Sequence, residues 1–164
     1  MPGFSPFAIA NEFIKLAGRE ALSSSELQKL VFVAHGWNLA YNKQPLIAGN
    51  AEAAESGPVF RELADHLARL GEGPVAKLLS PAPRMAIFGG DARPYVAALS
   101  DPEKMVIASV WKRYGRVGAF KLASLTQQVG SPWYTTFYSS GRNAVLEPEQ
   151  IRQYFVTLAK DRRG

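Results

Sequence analysis

The sequence predicts a mainly α fold, a compact single-domain bundle of about six helices over residues 1–164, with its core at about 6–160. Three observations predict it. The chain is 47% hydrophobic and carries 9 Phe, 6 Tyr and 3 Trp in 164 residues, and a domain of that length buries roughly 70% of its unfolded surface. Apolar residues recur at i, i+3, i+4 and i+7 in several segments, most of them opened by a helix-capping signal. Alternating strand patterns are scarce, so a short hairpin at about 45–55 is the single β element in view.

Ser5-Pro6 reads as an N-cap followed by proline at the first helical position, and Ile9, Ala10, Phe13, Ile14 and Ala17 follow at helical spacing, predicting a helix over 6–18. Ser23 with Glu26 is a capping box that opens a second helix over 24–42. Leu27, Leu30, Val31 and Ala34 give it one apolar stripe, and Phe32, Val33, Leu39 and Ala40 make its other faces apolar, which places it mid-core. Pro45, Gly49 and Gly57 interrupt the pattern, leaving Leu46-Ile47 and Glu52-Ala53 as short strand candidates. Gly57-Pro58 then opens a helix over about 59–70 with Val59, Leu63, Leu67 and Leu70 inward. Residues 71–99 are loop-rich, dense in Gly and Pro as far as Arg93 around a turn at Val75 to Leu79, and a lid or insertion belongs there. Ser100 and Glu103 form another capping box, with Ile107, Val110, Trp111 and Tyr114 ending at Gly115. Gly118 to Gln128 follows as a shorter helix with Leu122 and Leu125 inward. The last helix starts near Pro148 and carries Ile151, Tyr154, Phe155 and Leu158.

Several function classes are excluded or disfavoured by what is missing. With no cysteine there is no disulfide framework, zinc knuckle, Fe–S cluster or cysteine nucleophile. The two histidines, His35 and His66, have no second ligand at helical metal-site spacing, and no nucleophile elbow, phosphate loop or dinucleotide fingerprint occurs. Paired acids can be proposed for Glu52 and Glu55, but surface carboxylates this close are common. The expectation is a non-enzyme without cofactor or metal. The first residues lack a signal-peptide pattern and the longest apolar run, Leu30 to Ala34, is far too short to span a membrane, so a cytoplasmic protein is expected.

The net charge of +5 comes entirely from the last 64 residues, which hold ten basic and five acidic side chains against nine of each before them. Lys104, Lys112, Arg113, Arg116, Lys121 and Arg142 face only Glu103 between positions 102 and 146, and Lys112, Arg113, Arg116 and Lys121 form a candidate basic surface. It reads as a solvated helix face or as a site for phosphates or an acidic protein. Gly115-Arg116-Val117-Gly118 has the Gly-x-x-Gly form of a KH backbone clamp, the basis of an alternative nucleic-acid-binding reading, and Gly115 equally suits a left-handed helix cap. Gln28, His35 and Asn38 share one face of the central helix, as an internal hydrogen-bond network or a binding face. Ser131-Pro132-Trp133 reads as a rigid turn aiming Trp133 either into the core or at a partner, with Tyr134, Phe137 and Tyr138 suggesting an aromatic cluster under the final helix.

Taken in order, Leu27-Gln28-Lys29-Leu30 through His35-Gly36-Trp37, Pro45-Leu46, Glu52-Ala53, Gly57-Pro58-Val59, Trp111, Tyr114-Gly115, Leu122 to Thr126, Ser131-Pro132-Trp133, Ile151 and Tyr154-Phe155 resemble the Panacea domain, the SocA-like, phage-associated antitoxin family. The chain departs from that pattern at Glu55-Ser56, where the family usually shows an aromatic before Gly-Pro-Val, and at Gln127, where it shows a histidine. The resemblance implies a mainly helical fold, no cofactor and direct binding of a protein toxin. Some relatives resemble adaptors that hand the toxin to an ATP-dependent protease. It marks Gln28, His35, Trp37, Glu52, Gly57, Pro58 and Trp133 first as fold determinants and second as partner contacts, and Asn38 joins these candidates through the polar face it shares with Gln28 and His35.

Overall fold

The Ser5 hydroxyl accepts a hydrogen bond from the Phe7 N–H, and Pro6 occupies the first turn of α1 (Pro6–Ala17). A computed structural model describes residues 3–81 and 93–163. Ile9, Ala10, Phe13 and Ile14 bury the inner face of α1, and a short 3₁₀ turn, Gly18–Glu20, ends it. In α2 (Ser24–Asn42) the capping box is complete: Glu26 N–H donates to Ser23 Oγ at 3.1 Å and Ser23 N–H to Glu26 Oε1 at 3.2 Å. Every residue from Leu27 to Leu39 is buried. That burial follows from position, since α1, α4 (Asp101–Tyr114), α5 (Ala119–Gln127) and α7 (Pro148–Arg163) all pack on α2. Between Leu27 and Leu39 the helix is enclosed on every side, so the polar side chains there must find their partners inside the protein.

Between α2 and α3 (Arg61–Arg69) lie β1 (Glu52–Ala54) and β2 (Gly57–Val59), paired antiparallel with Glu52 opposite Val59. The hairpin therefore covers 52–59, later than the expected 45–55, and Gly57-Pro58-Val59 is its second strand instead of the opening of a helix. Two causes hold this stretch extended. Gly57 has φ +118°, a conformation glycine tolerates, and the Phe60 N–H is taken by the Gln28 side chain at 3.0 Å, so helical bonding starts only after it. On the other edge of β1, Asn143 N–H donates to Ala53 O, Ala53 N–H to Ala144 O, and Leu146 N–H to Ala51 O. Leu46 and Ile47 form no hairpin. Their segment pairs with the N-terminal stretch through Phe4 N–H to Leu46 O and Ala48 N–H to Phe4 O, both 2.8 Å. Leu63 and Leu67 of α3 are buried as expected, whereas Leu70 is exposed.

Among the described residues there are seven α-helices, one more than expected. The additional one is α6 (Pro132–Ser140): Ser131 accepts from the Tyr134 N–H and Pro132 fills the first position, repeating the device that starts α1. Ser131-Pro132-Trp133 is thus a helix start, not a free-standing turn. In the loop-rich segment, Val75 N–H donates to Leu22 O and Leu79 is buried. Residues 82–92, part of the segment where a lid or insertion is expected, lie outside the described residues.

Candidate functional site

Gln28, His35 and Asn38, the polar residues that share one face of α2, are each buried and each hold a different piece of the chain between 42 and 60. Gln28 brackets Phe60, its Oε1 accepting from the backbone N–H at 3.0 Å and its Nε2 facing the carbonyl at 3.5 Å. His35 Nδ1 accepts from the N–H groups of Leu46 at 3.3 Å and Ile47 at 3.1 Å. That assignment places the ring proton on Nε2. Burial pushes the His35 imidazole down to about 4, so it is neutral at neutral pH. Asn38 donates to the Gln44 carbonyl at 2.8 Å and accepts from Asn42 Nδ2 at 2.6 Å. A buried polar group left unpaired costs roughly 1 to 3 kcal/mol, and this seam pairs the backbone of a segment with little regular structure of its own.

Trp37, at the lower end of α2, stacks on Tyr41 with ring centroids 5.4 Å apart and meets Phe155 edge-on at 5.0 Å. Trp133 is buried, donates its indole N–H to the Ala54 carbonyl at 2.7 Å and stacks on Phe137 at 5.0 Å. Its indole therefore anchors α6 to the hairpin rather than to the last helix, and Tyr138 of the expected cluster is exposed. Leu-Gln-Lys-Leu, Gly-Pro-Val and Ser-Pro-Trp, far apart in sequence, converge here: Gln28 on Phe60, Lys29 Nζ on the Ser56 carbonyl at 3.1 Å, and Trp133 on Ala54. The family model for the antitoxin SocA-like Panacea domain matches residues 27–134, more than half of the chain and the stretch that contains all three.

The chain belongs to the SocA-like Panacea antitoxin family. No curated protein and no solved structure matches it.

Within this Panacea domain, Gly57 of the hairpin lies against Gln127 of α5. A Cβ on Gly57, next to Glu55-Ser56, would meet the Gln127 side chain at 3.1 Å. Gly57 and Pro58 are themselves buried. Glu52 and Glu55 form no acid pair, because Glu52 holds Arg61 at 2.8 Å and Glu55 pairs with Arg142. Among the described residues no group of three His, Asp or Glu side chains could hold a metal ion, and no helix is long and apolar enough to cross a membrane.

The basic surface is smaller than the linear count predicts, because folding brings in acids from the first half. Arg116 pairs with Glu20 at 3.0 Å and its guanidinium lies 5.2 Å from the Trp111 ring centroid; Arg142 has Glu55. Lys112 and Arg113 on α4 and Lys121 on α5 remain exposed without an ion pair among the described residues. Gly115 is no left-handed cap: its φ is −60°, and a Cβ there would run into the Trp111 ring, so it is glycine for space. The Gly115–Gly118 loop joins two helices, and the one sheet among the described residues is the hairpin at 52–59, so the strands of a KH module are not beside it.

Asn11 and Lys29, two buried polar residues that tie distant segments together, are not singled out by the sequence. Asn11 accepts from Leu79 N–H at 2.6 Å and donates to the carbonyls of Leu79 and Tyr95 at 3.0 Å, tying both ends of the loop-rich segment to α1. Its signal was present, since Asn11 lies on the apolar face between Ala8 and Ile14. Lys29 is buried, donates to Ser25 Oγ at 2.9 Å and to the Ser56 carbonyl, and burial pulls its ammonium below the usual range. Nothing in the spacing of Leu-Gln-Lys-Leu distinguishes that lysine from a solvated one.

Proposed function

We propose that this protein is the antitoxin of a toxin–antitoxin pair and neutralises a cognate protein toxin by direct binding. The observation that carries this reading is the family match over residues 27–134, whose three separated motifs meet on one hairpin. The architecture supports a binding role. An enclosed scaffold leaves surface side chains to recognise the partner, as protein interfaces require. The polar residues that would be the natural choice for chemistry, Gln28, His35 and Asn38, are engaged in holding backbone.

Co-purification tests it. A tagged copy of this chain expressed with the product of the adjacent gene should retain that product through gel filtration as one complex. Separate elution of two folded proteins would sink the proposal. Where the complex forms, the toxin's half-life with and without an ATP-dependent protease decides whether the chain also acts as a proteolytic adaptor.

A further inference from the structure

A groove of about 720 Å³ runs between the C-terminal half of α2 and α4. Trp37, Val106 and Val110 lie deep in it, while Tyr41 is 56% and Met105 70% exposed along its walls. Lys112 and Arg113 stand on its rim, and no carboxylate is among the described residues that line it. Cations in the last turn of α4 also offset its helix dipole, and a single exposed methionine needs no explanation. Neither accounts for their meeting in one concave site. Aromatic residues, Met and Arg are the side chains enriched at protein interfaces, and a groove between two helices suits an amphipathic helix laid along it.

We propose that this groove receives an acidic amphipathic segment of the toxin, its apolar side chains against Tyr41, Met105, Val106 and Val110 and its carboxylates facing Lys112 and Arg113. The proposal rests on the antitoxin reading and names the surface that serves it. Charge complementarity selects the occupant. A second copy of this chain, with a net charge of +5, would bring like charge to a cationic rim. A nucleic-acid backbone would satisfy the two cations and leave the valine and methionine walls unmatched.

Two probes test it. The first is the purified product of the adjacent gene, measured against Tyr41→Ala/Met105→Ala and Lys112→Glu/Arg113→Glu, all exposed positions; losing the Tyr41–Trp37 stack and reversing the charge at the end of α4 should lower the melting temperature by a few degrees at most, leaving both variants folded at the assay temperature. Each double variant should bind at least about 30-fold more weakly, whereas Phe120→Ala and Lys121→Glu, outside the groove, should bind within about twofold of wild type. The second is a synthetic 18-residue amphipathic helix with leucines on one face and glutamates on the other. It should shift the Met105 methyl resonance, and its lysine-faced counterpart should not. Wild-type affinity in both double variants, or an equal loss in Lys121→Glu, overturns the proposal while leaving the antitoxin reading standing. If the adjacent gene product does not bind the wild-type chain, the antitoxin reading fails, and the peptide alone judges the groove: an unmoved Met105 methyl overturns it. A self-associated dimer that the groove variants dissociate, or a DNA duplex that moves Met105 where the acidic peptide does not, also overturns it.

Discussion

The ring of Phe155 occupies the space that a side chain on Gly36 would need. A Cβ at that position would fall inside the van der Waals envelope of the ring's Cδ2, Cε2 and Cζ atoms. Phe155 is fully buried, and its ring also meets Phe32 at 6.2 Å and Trp37 at 5.0 Å. A glycine in the middle of a 19-residue helix costs about 1 kcal/mol relative to alanine. Here it lets α7 approach the α2 backbone.

Gly36→Ala should therefore destabilise the fold by about 1 to 3 kcal/mol despite its better helix propensity, because overpacking outweighs that gain. Combining it with Phe155→Leu should recover part of the loss, so the double variant is more stable than the sum of the singles by about 1 kcal/mol or more. Urea unfolding of the four proteins checks this. Strict additivity would show that the two residues do not compete for the same space.

Acidification should weaken the protein through His35. An unfolded imidazole takes up its proton near pH 6.5, whereas the buried one resists until about pH 4. Between those values the unfolded chain binds more protons, so stability is complete above about pH 6.5 and falls as pH drops toward 4, by on the order of 3 kcal/mol. Protonation would also remove the acceptor that Leu46 and Ile47 share. His35→Gln should start less stable at pH 7 and show a flatter slope between pH 6.5 and 4. Parallel slopes in the variant and the wild type would assign the acid sensitivity elsewhere.

Trp133→Ala removes a buried ring and its hydrogen bond to Ala54, and should cost about 3 to 5 kcal/mol, lowering the melting temperature by about 10 °C. Trp133→Phe keeps most of the ring and loses the bond, about 1 kcal/mol. A Trp133→Ala protein that melts like wild type would show that α6 does not depend on this anchor.

Much of this architecture could be read from the sequence because its signals are local. Ser23 with Glu26 and Ser100 with Glu103 announce helix starts whose bonds are made within four residues, and the all-round apolar pattern of 27–39 foretells the central helix. The hairpin was misplaced because what holds it is non-local: the Phe60 N–H is claimed by Gln28, 32 residues away. The same applies to the basic surface, which a linear count overstates because Glu20 reaches Arg116 across 96 residues. α6 was legible, since Ser131-Pro132 repeats Ser5-Pro6. Which side of the α2 polar stripe faces inward was not, because a helix enclosed by four others has no outer side.

Nucleic-acid binding, if any, should be weak and salt-sensitive. Lys112, Arg113 and Lys121 carry no ion pair among the described residues, while Arg116 is held by Glu20. Neutralising Lys112, Arg113 and Lys121 together should flatten the dependence of affinity on salt. A salt-resistant, sequence-selective complex in a filter-binding titration would contradict this.

The antitoxin assignment is tested most directly by growth. Cells induced for the adjacent gene alone should stop growing, and cells that also express this chain should grow at the rate of uninduced controls. A gene that is harmless alone, or that remains lethal with this protein in excess, would contradict the account.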